Sequence, residues 1–93
     1  MRLSAEEKAV IREVVREADP DASVYLFGSR VDDSAAGGDI DLLILSRRLS
    51  LAEELRIKVR ILDRIGWQKL DLVVARDTGS PLAAEAVAEG VRL

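Results

Sequence analysis

Apolar residues recur along this chain in two different rhythms. Val10, Ile11, Val14 and Val15 repeat at helical spacing, which predicts a first helix over about residues 5 to 18. Ser4, with Glu7 three residues on, forms a capping-box signature at its start, and Asp19-Pro20-Asp21 stops it. "SVYLF" (23–27) is β-branched and aromatic and predicts a strand. "DIDLLILS" predicts a second strand, after a small, loose segment "DSAAGG" that reads as an exposed loop. Ser29, with Asp32 three residues on, suits the cap of a short helical turn between them.

Ser50 and Glu53 form a second capping box before a helix of about residues 51 to 65, capped by Gly66. Its apolar positions fall into two stripes: Leu51, Leu55, Val59 and Leu62, then Ile57, Ile61 and Ile65. A face this wide implies contact on more than one side. "KLDLVVA" predicts a third strand. Ser80-Pro81 opens a last helix, "PLAAEAVAEG", stopped by Gly90, and "VRL" suits a short edge strand. The order is an α/β fold: a small mixed β-sheet flanked by helices.

Composition narrows what such a fold can do. Ninety-three residues make a single domain, 1–93, with a thin core that gains from a partner or from self-association as a homo-oligomer. There is no cysteine and no histidine, which excludes disulfides, thiolate chemistry, a His general base and His-ligated metals. A net charge of -3, scattered Lys and Arg, and one each of Tyr, Phe and Trp give no footprint for nucleic acid. No signal peptide or membrane span is evident, and a soluble, cytoplasmic protein is the expectation.

Three features carry candidate chemistry. Asp39 and Asp41, two residues apart at the mouth of an apolar strand, share one face while Ile40, Leu42 and Ile44 take the other. Like charges side by side repel, and oxygen donors suit a hard divalent ion such as Mg2+. A bare D-x-D is more often two solvated loop aspartates. Gly28-Ser29 ends a strand with backbone amides and a hydroxyl that suit phosphate, or is an ordinary turn. Arg30 reaches toward such a phosphate or is a solvated surface residue. Asp71 is one polar residue amid Leu70, Leu72, Val73 and Val74, either an edge-strand aspartate facing water or a third carboxylate beside the first two.

Taken together, "LFGSR", "GGDIDLLIL" and "KLDLVVA" resemble the nucleotidyltransferase superfamily of DNA polymerase beta type, and within it the minimal, MNT-domain antitoxins. The resemblance runs from about Ala22 to Ala75, with nine residues between Ser29 and Asp39. It implies that Gly28, Ser29 and Arg30 hold the phosphates of a nucleoside triphosphate, ATP above all. It implies that Asp39, Asp41 and Asp71 bind Mg2+, two ions in all, and that Asp71 helps deprotonate the attacking hydroxyl. It further implies a HEPN-type toxin as partner, neutralised by transfer of AMP to a tyrosine. Two alternatives stand beside this: an antitoxin that masks its partner without catalysis, and a nucleotidyltransferase acting on a small-molecule acceptor.

Overall fold

The computed structural model describes residues 3–28 and 40–93. The turn and loop expected at 29–39, the start of "DIDLLILS" at Asp39 included, lie outside them.

The elements follow the sequence rhythm closely. Helix α1 spans Ala5–Ala18, strand β1 Ser23–Phe27, β2 Ile40–Leu45, helix α2 Leu51–Ile65, β3 Leu70–Ala75, α3 Pro81–Glu89 and β4 Val91–Arg92. Both capping boxes form: Ser4 accepts from the Glu7 amide and Glu7 reaches back to the Ser4 amide, and Ser50 and Glu53 repeat the exchange. Four orphan amides are thereby satisfied where each helix must start. Ser80 caps α3 by accepting from the Ala83 amide, with Pro81 in the first turn.

The sheet order is β3-β2-β1-β4. β1 runs antiparallel to both β2 and β4, while β2 and β3 are parallel and joined through α2. A parallel pair needs such a crossover, so the sheet is mixed for the reason the element order already implied. One face packs on α1 and α2: Ile11, Val14, Leu26, Ile40, Leu42, Ile44, Ile57 and Ile61 are buried together there. Each such side chain contributes roughly 1.5–3 kcal/mol on burial. The other face carries Tyr25, Phe27, Leu43, Leu45, Val73 and Ala75 under Ala83 and Ala86 of α3. That cover is a single short helix, so much of this face stays open.

Gly90 makes the return from α3 into β4 possible. A Cβ there would overlap the Ala86 carbonyl oxygen and lie 2.6 Å from that of Leu26, so only glycine lets the two backbones meet. Leu93 then donates its amide to the Val24 carbonyl, 2.9 Å away.

The far end of β2 holds a buried polar junction. Asp19, 2 % exposed, accepts from the Ser46 hydroxyl at 2.6 Å and from the Asp21 amide at 3.0 Å. Ser46 in turn accepts from the amides of Arg48 and Leu49. The end of α1 is thus tied to the end of β2. The Ser46 hydroxyl, foremost, holds the Asp19 carboxyl below its ordinary range; burial opposes this, and the Asp21 amide and Arg48 assist.

Of the two apolar stripes on α2, one faces the core throughout and the other only at its end. Ile57 and Ile61 are buried and Ile65 packs against the core, while Leu51, Leu55 and Val59 are exposed; Leu62 alone of their stripe is buried. Among the described residues, no helix is long and apolar enough to cross a membrane.

Candidate functional site

The candidate residues converge at one end of the sheet. β1 finishes at Phe27, which faces Asp41 across the antiparallel pair. Asp41 in turn faces Asp71 across the parallel pair. Neighbouring strands lie roughly 4.8 Å apart, so the two aspartates are next-door neighbours in the ladder. Alternation places them on one face. Asp41 shares parity with Leu43 and Leu45, and Asp71 with Val73 and Ala75, and those four pack on the α3 side. Ile40 and Leu42, buried on the opposite side, fix the strand so that Asp41 cannot turn inward.

Gly28 follows Phe27 with φ of +75°, in the left-handed region that glycine occupies without strain. A Cβ at this position would overlap Oδ2 of Asp41 and lie 3.1 Å from its Cγ. The backbone angle favours glycine here, and any side chain would also have to push the Asp41 carboxylate aside. Asp41 is half-buried and Asp71 is exposed. β3 is an edge strand, so Asp71 meets the water-facing expectation and the expectation of lying beside Asp41 at once.

A cavity of about 470 Å³ adjoins Gly28, walled by Phe27, Leu82, Glu85, Ala86, Glu89 and Gly90. The four α3 residues recur at i, i+3, i+4 and i+7, one face of that helix. This spacing is the sequence signal that Leu82, Glu85 and Glu89 share the face looking onto the glycine turn. Ser29, Arg30 and Asp39 lie outside the described residues. Gly28, Asp41 and Asp71 are thus the three expected site residues that the fold brings together.

The donor set is oxygen only, in a chain without histidine or cysteine, and it suits a hard divalent cation over a soft one. Among the described residues, no group of three His, Cys, Asp or Glu side chains gathers. Asp41 and Asp71 offer two paired carboxylates on an open face, which fits a cation completed by water and a ligand's phosphates.

A glycine turn facing an aspartate, itself paired with a second aspartate on a parallel strand, is the arrangement the sheet end presents. Comparison with known families names the class: residues 9–93 match the family described as Polymerase beta, Nucleotidyltransferase. The chain belongs to this family, and its small mixed sheet with flanking helices is that family's fold. Among curated proteins no match is found.

Proposed function

We propose that this chain is a Mg2+-dependent nucleotidyltransferase that moves AMP from ATP onto a hydroxyl, the tyrosine of a HEPN-type partner. The observation that carries the reading is the line Gly28–Asp41–Asp71 across three adjacent strands. Phosphates need close backbone approach, and Gly28 offers it with no side chain in the way. The cavity beside it has the volume of a small-molecule site and an apolar wall, Phe27 and Leu82, suited to a base and sugar.

Asp41 and Asp71, with Asp39, would hold the metal ions. When bound, these supply charge neutralisation at the attacking and leaving oxygens of an in-line displacement. The residues' own work is positioning: Asp41 is set by the strand beneath it, and Asp71 lies on the open edge where an acceptor hydroxyl can arrive. In this reading Asp71 takes that hydroxyl's proton. Such chemistry needs geometry and charge more than a covalent nucleophile, so the lack of His and Cys is no obstacle.

The test is incubation of the protein with labelled ATP, Mg2+ and the candidate partner. Label on the partner, lost with Asp41→Asn, is expected; label transfer undiminished by Asp41→Asn with Asp39→Asn would sink the reading. Stoichiometric masking is the second reading, and the exposed stripe Leu51, Leu55 and Val59 is what favours it. Masking survives the double aspartate change, and catalysis does not.

A further inference from the structure

Arginines scattered in sequence at 47, 48, 76 and 92 are gathered by the fold. β2 and β3 run parallel, with Leu45 level with Ala75, so Arg47, Arg48 and Arg76 leave the sheet at the same end. β1 runs the other way and starts there, with Ser23 level with Leu45. Arg92 of β4 reaches that end too, where it donates to the Ser23 hydroxyl at 3.4 Å. Among these side chains lies a cavity of about 400 Å³, walled by Arg47, Arg48, Arg76, Ser23, Ser46 and the carboxylates Asp19 and Asp21. Asp41 and Ser46 mark opposite ends of β2, roughly 16 Å apart at about 3.3 Å per residue. The cavity is therefore well separated from the Gly28–Asp41–Asp71 line.

Both carboxylates are engaged within the fold. Asp19 accepts from the Ser46 hydroxyl and the Asp21 amide. Arg48 Nη1 lies 3.6 Å from the Asp19 carboxylate and 3.9 Å from that of Asp21. Arg48 is thereby anchored to the buried junction. Among the described residues, the guanidinium groups of Arg47 and Arg76 have no ion-pair or hydrogen-bond partner. A single solvated arginine is ordinary on a protein surface. Two unpartnered guanidinium groups that wall one cavity, beside an anchored third, repel one another, and an anion between them removes that cost. The carboxyl ends of parallel strands are also where open α/β sheets leave a ligand crevice.

We propose that this cavity is a second, separate site, which binds a phosphate dianion: free phosphate or pyrophosphate, or the phosphate group of a small ester. The class of ligand follows from the donors. A carboxylate carries one charge and is satisfied by one guanidinium fork, whereas a phosphate dianion offers oxygens enough for two forks at once. Arg47 and Arg76 supply those forks from the ends of two adjacent strands. Arg48 adds fixed positive charge, because Asp19 and Asp21 hold it in place. The cavity also has the volume of a small-molecule site, more than a bare ion fills. Binding here rests on no step of the reaction proposed above and needs no metal.

The experiment is an amide NMR titration of the whole chain with pyrophosphate, inorganic phosphate, AMP and acetate, without Mg2+ and at constant ionic strength. Saturating shifts are expected at Ser23, Ser46, Arg47, Arg48 and Arg76 with the phosphates and not with acetate. Arg47→Gln with Arg76→Gln is expected to raise the apparent dissociation constant about 10-fold or more, since a lost hydrogen bond to a charged group costs about that factor. Arg12→Gln with Arg16→Gln, the same change of charge on α1, is expected to leave it unaltered. Pyrophosphate binding ahead of AMP identifies a free phosphate as the ligand, and AMP ahead of inorganic phosphate identifies an ester; both support the site. The proposal is overturned by no saturation up to about 10 mM, by shifts confined to Gly28 and Asp41, by acetate binding equally well, or by equal weakening in the two double variants. If Arg47→Gln with Arg76→Gln fails to fold, the shift map of the unaltered chain and its comparison with acetate decide.

Discussion

The carboxylate of Asp41 occupies the space where a side chain on Gly28 would begin. The strand end and the aspartate are therefore coupled: a side chain at Gly28 has to displace the Asp41 carboxylate. Gly28→Ala should show this. A left-handed backbone costs a non-glycine residue about 1–2 kcal/mol, and the methyl must also displace Asp41. Chemical denaturation should report a loss of at least that size. Label transfer should fall about 100-fold or more, since misplacement of an attacking geometry by about 1 Å costs that much.

Asp71→Asn tests the opposite balance. Asp71 is exposed, and it faces a like charge in the ladder. Its removal relieves repulsion, so the melting temperature without metal should hold or rise slightly. Mg2+ should stabilise the unaltered protein by mass action and the variant less. Paired thermal melts with and without Mg2+ check this, and transfer activity should drop together with the lost metal response.

The Asp19–Ser46 junction predicts a pH dependence. Asp19 is held below the ordinary carboxylate value of 3.8, chiefly by the Ser46 hydroxyl. A depressed folded pKa means stabilisation that is present above the unfolded value and lost as pH falls through the folded one. Urea unfolding of the unaltered protein should weaken below about pH 4, where the ordinary carboxylate begins to bind protons. Asp19→Asn should be weaker at neutral pH and lose less on acidification. Ser46→Ala, which leaves a buried carboxylate short of a donor, should cost about 1–3 kcal/mol at neutral pH.

Ser50→Ala removes one side of the second capping box. The expected cost is about 1 kcal/mol, a fall of roughly 4–8 °C in melting temperature for a domain of this size. The Glu53 carboxyl, held below its ordinary range first by the Ser50 amide and next by the Ser50 side chain, should move only part of the way back, because the variant keeps the amide; carbon NMR can follow this.

The helices were legible in the sequence because their ends carry local chemistry: Ser4 with Glu7, Ser50 with Glu53, and Ser80 with Pro81 each settle within one turn. The strands were legible through β-branching. The site was half legible. Alternation alone aimed Asp41 away from the core, but nothing local says that Asp71 faces it across the ladder, because strand neighbours depend on the crossover through α2. The requirement for glycine at 28 was likewise hidden, since it comes from an aspartate 13 residues later. The Asp19–Ser46 bond joins residues 27 apart; in sequence, Asp19 reads only as a helix stop. The two stripes of α2 were visible, but which one the core takes depends on where α1 lies.

β2 carries its two polar stations at opposite ends, Asp41 at the start and Ser46 just past the finish, with four apolar residues between them. One station belongs to the proposed site and the other holds the fold. On the proposed reading, a lineage of this chain can therefore lose its reaction in one mutational step and keep its fold. An inert descendant would persist as a folded binding protein. The distinction between enzyme and mask is, for this architecture, one carboxylate wide.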